Sequence, residues 1–351
     1  MNTNTEITKV ILAVIGAISI IAFSTQNVSA IGPEGSIYVA NGFGKTVSVI
    51  DTKTNTVGSP IVVGNSPVAM AFDTAHKRMY VANSQDNSIS VIDVKTDTVV
   101  KTIPVAGVGL ESAIAFDTAH KRMYVLTGDS VTVIDTNSNT VVGSPIEVGN
   151  ALQGIAFDPI HNRMYVTDSF NNDVRVIDTN TNTVVGSPIP LPIEISDQAF
   201  GITFDEKLKR LYVSSTQVGG KDWVTIIDTD TNTIFFALQV EEGPLSMAFD
   251  SIHRRVYVLN SAGVDSISVI DSNDVEVTGS PIPVSFNSQE IAFDAIHGRI
   301  YVTNGSGDSI TVIDTNTHTV VGLPLFVGAG PEAIAFAPPL TTTNVFGPSL
   351  P

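Results

Sequence analysis

The residues in this chain best suited to chemistry are its histidines. Five of the six, His76, His120, His161, His253 and His297, stand in one pattern, Asp-x-x-His-x-Arg. Imidazole is a common ligand for zinc, copper and iron, so repeated histidines raise a metal site. Such a site needs several donors converging within about 2 Å of one ion. One histidine per repeat is spread out rather than brought together, so the pattern reads as a structural turn, with His318 equally isolated. No metal is expected.

Other chemical motifs dissolve in the same way. The Asp-Thr-x-Thr-Asn-Thr segments lack the glycine and distal glutamate of a calcium loop; their Asp side chains are expected to fold back on the turn backbone. Asn41-Gly42-Phe43-Gly44 and Gly305-Ser306-Gly307 precede strands, so no helix N-terminus stands ready for a phosphate. No nucleophile elbow or His-Glu-x-x-His occurs, and the chain has no cysteine. No catalytic residue and no cofactor is assigned. One sequon, Asn304-Gly305-Ser306, falls on an irregular loop.

The net charge is −17, with no run of Lys or Arg after the first thirty residues. That surface repels phosphate backbones and anionic lipids, so nucleic acid is not an expected partner. Residues 1–30 read as a signal peptide: an apolar run of 14 residues, Val10 to Phe23, followed by Asn27-Val28-Ser29-Ala30. That run is short for a bilayer span, which needs about 20 residues. Membrane association is therefore expected only through this segment, if it is retained. The protein is expected to be extracytoplasmic, secreted or at the cell surface, and the tail, residues 338–351, disordered.

What positions any site is a repeat. All seven tyrosines, Tyr38, Tyr80, Tyr124, Tyr165, Tyr212, Tyr257 and Tyr301, precede valine. Each is followed by an Ile-Asp ending in Asp51, Asp93, Asp135, Asp178, Asp228, Asp271 or Asp314. A third marker gives Phe72, Phe116, Phe157, Phe204, Phe249, Phe293 and Phe336. The markers agree on seven units, each reading as four short strands bounded by Asp, Asn, Gly and Pro. In the third unit these are Ile114–Phe116, Arg122–Val125, Val131–Ile134 and a strand from Val141 through Val148. No segment after the leader shows a helical period.

Seven such units predict an all-β, seven-bladed β-propeller of four-stranded antiparallel blades over residues 31–337. The last strand, Glu332 to Phe336, should close the ring by pairing with the N-terminal blade. Tyr-Val-Ala-Asn at Tyr80–Asn83, Tyr-Val-Thr-Asn at Tyr301–Asn304 and the Thr-Asn-Thr-Val-Val segments resemble the YVTN family of β-propeller repeats. That resemblance implies a surface-layer or extracytoplasmic binding or structural module. Lactonase-like and quinoprotein-like propeller enzymes acting at the channel mouth are the alternative, and fold alone does not decide.

Loop lengths indicate which face binds. Phenylalanine to tyrosine, across the turn from first to second strand, spans eight residues in six copies, whereas tyrosine to aspartate, across the next loop, varies from 11 to 16. Irregular loops on a rigid scaffold carry function more often than regular ones. On that variable face the longest loops are Ser214–Asp222, leading into the only tryptophan, Trp223, and Pro190–Gly201. Lys221, Asp222, Trp223, Glu194, Asp197, Gln198 and Phe200 form one candidate lip for a protein, glycan or small-molecule ligand. The other candidate is a ring of first-strand residues at the channel mouth: Val68, Ser112, Gln153, Phe200, Leu245, Gln289 and Glu332.

Overall fold

In a computed structural model, which describes residues 35–192, 198–217, 222–263 and 265–340, seven antiparallel sheets are arranged radially. Blade 1 holds Ser36–Asn41, Thr46–Asp51 and an interrupted outer strand, Thr56–Val57 and Ile61–Val62. Blades 2 to 7 start at Pro67, Ile114, Leu152, Gln198, Pro244 and Ser288, and within each the strands run outward from the axis in chain order. The innermost strand of blade 1 is the chain's last, Pro331–Ala337, paired antiparallel with Ser36–Asn41 so that Tyr38 faces Ala335. Ring closure by the C-terminal strand is thus present as expected. The only helical element among the described residues is a short 3-10 turn, Gly305–Gly307.

The outermost strands depart from the expectation. Five are split into two-residue pieces, Thr140–Val141 and Ile146–Glu147 in blade 3 for example, where a continuous strand through Val148 was expected. The break falls at Gly143-Ser144-Pro145, with Gly143 at φ +69°. Proline has no N–H for the ladder, and a left-handed glycine turns the chain out of it. Equivalent Gly-x-Pro breaks follow Val57, Val185, Thr278 and Val321. Blades 2 and 5 lack the motif and keep continuous outer strands, Thr98–Pro104 and Thr233–Val240. Pro338–Leu340 is also described, and Leu340 packs against the blade 1–2 core. Residues 1–34 and 341–351, which include the expected leader, lie outside the described residues.

The core lies between blades. Each tyrosine of the repeat is fully buried in a different interface cluster, and burying a side chain of that size stabilises by about 2–3 kcal/mol. Each phenol also needs a partner. Tyr80, Tyr124, Tyr165 and Tyr301 donate to the side-chain oxygens of Asn139, Asn182, Asn232 and Asn55 in the next blade around the ring, and Tyr38 to Asp97. These acceptors all occupy left-handed turn positions, φ 51° to 56°, which Asn and Asp tolerate best.

Blade 5 breaks this latch. Tyr212 meets Val275, at φ +57°, and its buried hydroxyl has no hydrogen-bond partner among the described residues, although Ser272 stands nearby. A β-branched residue in the left-handed region and an orphaned hydroxyl are both costly. Val275→Asn should supply an acceptor and relieve the backbone, raising stability by about 1–2 kcal/mol after some loss of apolar packing. Thermal unfolding checks this, and an unchanged or lower melting temperature would contradict it.

The histidine motif is structural as well. Asp73 accepts the amides of Ala75 and His76 through one oxygen and meets His76 Nδ1 at 2.7 Å through the other; the copies at His120, His161, His253 and His297 repeat the ring contact at 2.7–2.8 Å. Blade 5 has Leu208 instead, and there Arg254 of blade 6 and Ser272 Oγ hold the corresponding Asp205. The third-strand aspartates form the expected Asx-turns: Asp51 Oδ1 accepts the amides of Lys53 and Thr54, and the Ser138 amide holds the Asp135 carboxyl below its usual range. The sequon asparagine is not on a loop. Asn304 ends a strand, fully buried, with Nδ2 donating to Ser309 and Thr311, a position no glycan can reach.

Candidate functional site

Every inner strand except that of blade 3 bulges as it reaches the variable face. In blade 4, Leu152 and Ile155 pair with Asp168 and Val166, leaving Gln153 and Gly154 opposite Thr167 alone. Blades 5 and 7 do the same at Phe200-Gly201 and Gln289-Glu290, and blades 1, 2 and 6 skip one residue, Glu332, Val68 and Leu245. A bulge re-aims side chains that a regular strand would send outward. The third residue of the Tyr-Val-Thr-Asn motif supports the wide ones: Thr167 Oγ1 accepts from Gly154 N at 2.8 Å and donates to Phe200 O of blade 5 at 2.7 Å. Thr303 Oγ1 accepts from the amides of Gln289 and Glu290.

The bulges surround a cavity of about 420 Å³ at the mouth of the channel. The expected ring, Val68, Ser112, Gln153, Phe200, Leu245, Gln289 and Glu332, lines it throughout. Ser112 does so from just before its strand, which begins at Ile114; its hydroxyl donates to Leu126 O at 2.8 Å. Next inward comes a layer of small residues, Ala69, Ala113, Gly154, Gly201, Ser246 and Ala333, because neighbouring inner strands approach closely. A β-carbon on Gly154 or Gly201 would stand 2.6 or 2.4 Å from the next blade's carbonyl oxygen. In blade 7 this position is Glu290. Below it a third layer of Met and Ile, from Met70 through Ile334, closes in around the axis.

Among the described residues, the ionisable groups of the lining are Glu111, Glu290 and Glu332, with no lysine, arginine or histidine. Glu111 is bonded by Gln153 Nε2 at 2.9 Å. Glu290 Oε2 accepts the amide of Ile334, on the inner strand of blade 1, at 2.7 Å. Burial pushes its carboxyl up to about 8, opposed only by that amide. Burial also raises Glu332, whose side chain lies over the Cα of Gly42, where any β-carbon would collide with it. A smaller groove of about 280 Å³ runs from Leu110, Glu111 and Ser112 over the top of blade 3.

The two sets of sequence candidates separate here. Gln153, Phe200, Gln289 and Glu332 meet in the cavity. Trp223 sits on the third strand of blade 5 between Ser215 and Gln239, half-buried, its indole N–H buried without a partner among the described residues. Gln198 is exposed at the start of the inner strand. The carboxylate of Asp222 is buried and takes the amides of Gln217 and Gly243 at 3.0 and 2.6 Å, which closes its own loop. Strands extend to Thr216 and from Asp222, so the loop is shorter than Ser214–Asp222. Glu194, Asp197 and Lys221 lie outside the described residues.

Fold and site together define a seven-bladed β-propeller with an acid-lined, ligand-sized cavity where its channel opens. The sequence pattern of the YNCE-like beta-propeller family matches residues 6–337, and the chain belongs to that family. No curated protein matches it in sequence. Similar solved structures include the hydrazine synthase of Kuenenia stuttgartiensis, at 19% identity over 81% of this chain and 94% of that one, TM-score 0.70. A functionally unknown protein from Desulfotomaculum acetoxidans is 16% identical over 87% and 99%, TM-score 0.71. A candidate 6-phosphogluconolactonase from Bacteroides uniformis is 12% identical over 87% and 100%, TM-score 0.71. At these identities the likeness is one of fold.

Proposed function

We propose that this protein is an extracytoplasmic binding module that holds a small ligand at the mouth of its central channel. The observation behind the reading is the ring of bulges: every blade but the third breaks its inner ladder where the cavity opens. Bulges there turn side chains toward a ligand that a regular strand would hide. The apolar leader supports export, and the Tyr-Val-Thr-Asn repeats support a place among YVTN-type surface proteins.

The enzyme alternative draws on the candidate lactonase's fold. A 6-phosphogluconolactonase must hold a phosphate, and phosphate sites use Arg, Lys or backbone amides. Among the described residues this lining offers three glutamates and no cation, an arrangement that repels phosphorylated ligands.

The test is a ligand-observed NMR screen with a mixed library of neutral, cationic and anionic small molecules, run on the protein and two variants. Val68→Trp should fill the cavity and abolish binding without lowering the melting temperature. Trp223→Ala should leave binding within about twofold, well short of the loss expected at a hot spot. Binding that survives Val68→Trp and disappears with Trp223→Ala would move the site to the lip around Gln198 and Trp223.

A further inference from the structure

We propose that the channel mouth takes an organic cation, its ammonium or guanidinium group seated between the carboxyls of Glu290 and Glu332. The proposal rests on the channel-mouth reading above and assigns its ligand a chemical class.

Three observations carry it. Glu290 is the single exception in a layer where the other six blades place Ala, Gly or Ser. A carboxyl in that confined position is expensive to hold, since burial disfavours its charged form. Its protein bonding is also incomplete. Oε2 receives the Ile334 amide; Oε1 has no partner among the described residues and is not fully buried, so it opens into the cavity that Glu290 lines. Glu332, two residues before Ile334 on the same strand, has no hydrogen bond or ion pair among the described residues and likewise faces the cavity. Two carboxyls from adjacent inner strands therefore present free oxygens to one space.

The third observation is the absence of competition. The lining contains no basic side chain among the described residues, so a positive ligand group displaces no internal partner there. A metal ion fits less well, because no three His, Cys, Asp or Glu side chains converge to hold one among the described residues. An organic cation instead needs one or two carboxylates, neutral hydrogen-bonding groups and apolar walls. Gln153, Gln289 and the Met and Ile layer supply the rest.

Seating a cation against Glu290 requires that carboxyl to ionise, so ligand binding should release a proton. Among the described residues, the charged groups facing Glu290 are Glu332 on blade 1 and Glu111 across the cavity; the lining residues of blades 2, 4, 5 and 6 bring none. Arg299 and Tyr301, on the second strand of blade 7, are engaged by Thr52 and Asn55 in the outer turn of blade 1. Affinity for a cation should therefore rise by up to about tenfold per pH unit from pH 6 and level off above pH 8.

Calorimetric titration tests this at physiological salt with choline and agmatine. Controls are 3,3-dimethylbutanol, the neutral isostere of choline, and calcium chloride. Choline or agmatine should bind at least tenfold more tightly than the alcohol, with the stated pH slope. Glu290→Gln should flatten that slope while still accepting the Ile334 amide, and Glu332→Gln should weaken binding with the slope retained. Equal affinity for choline and its isostere, or tighter binding of calcium than of either amine, would overturn the proposal. So would undiminished cation binding in the double variant. Neutral ligands that bind and are lost in Val68→Trp, while neither amine binds, would refute the cation and leave the channel-mouth reading standing; retention of all binding in Val68→Trp would remove both.

Discussion

Deletion of residues 331–351 should abolish cooperative folding, whereas a chain ending after Leu340 should melt like the full protein. The longer deletion takes the strand whose Ala333, Ile334 and Ala337 are buried in the blade 1–2 and blade 7–1 cores, with Phe336 packed beside them. It also removes the ladder to Ser36–Asn41. Two large apolar side chains at about 1.5–3 kcal/mol each, with half a dozen backbone hydrogen bonds at about 1 kcal/mol each, approach the whole stability of a typical domain, about 5–15 kcal/mol. The cut would leave strand Ser36–Asn41 as an unpaired edge. Circular dichroism melts of the two truncations decide it: equal melting temperatures for the longer truncation and the intact protein would refute closure by this strand.

Glu290→Gln should make the protein less sensitive to alkaline pH. The folded carboxyl titrates near 8 because of burial, well above the ordinary value it has in the unfolded chain, about 4.3. Between those values the native state binds the extra proton, so stability is greatest below the unfolded value. The contribution of this carboxyl falls as pH rises and is fully lost above about 8. The slope reaches at most about 1.4 kcal/mol per pH unit. Burial raises Glu332 in the same direction, so the difference between protein and variant isolates Glu290. Urea midpoints between pH 5 and 9 give the measurement. A variant whose midpoint moves with pH as much as the parent's would show that Glu290 is not protonated in the fold.

Seven tyrosines, one per interface, made the architecture legible, because a residue buried at the same place in every repeat cannot vary without opening a seam. The channel ring was legible for a related reason: the first residues of the inner strands are fixed by counting from the phenylalanine. Glu290 escaped that count. A period-two strand sends the residue after Gln289 away from the axis, and only the bulge opposite Thr303 brings it back toward the cavity. The available signal was a comparison of the repeats with one another, since Ala69, Ala113, Gly154, Gly201, Ser246 and Ala333 fill the same position. The interrupted outer strands were also written in the chain, as Gly-Ser-Pro and Gly-Leu-Pro. The orphaned hydroxyl of Tyr212 could be known only once Val275 was seen beneath it, some sixty residues on in the neighbouring blade.

Ring closure also sets an order on synthesis. Tyr38 and its partner Ala335 are separated by almost the full length of the propeller, so blade 1 stays a partial sheet until the final strand has left the ribosome. Contacts so distant in sequence are slow to form, and a nascent chain carries an open template at Ser36–Asn41 for as long as translation lasts. The same geometry works in reverse once the ring is shut. Spontaneous opening must begin by peeling Pro331–Ala337 from both its sheet and its two neighbouring blades, and the lifetime of the native state is then set by how rarely that one strand lets go.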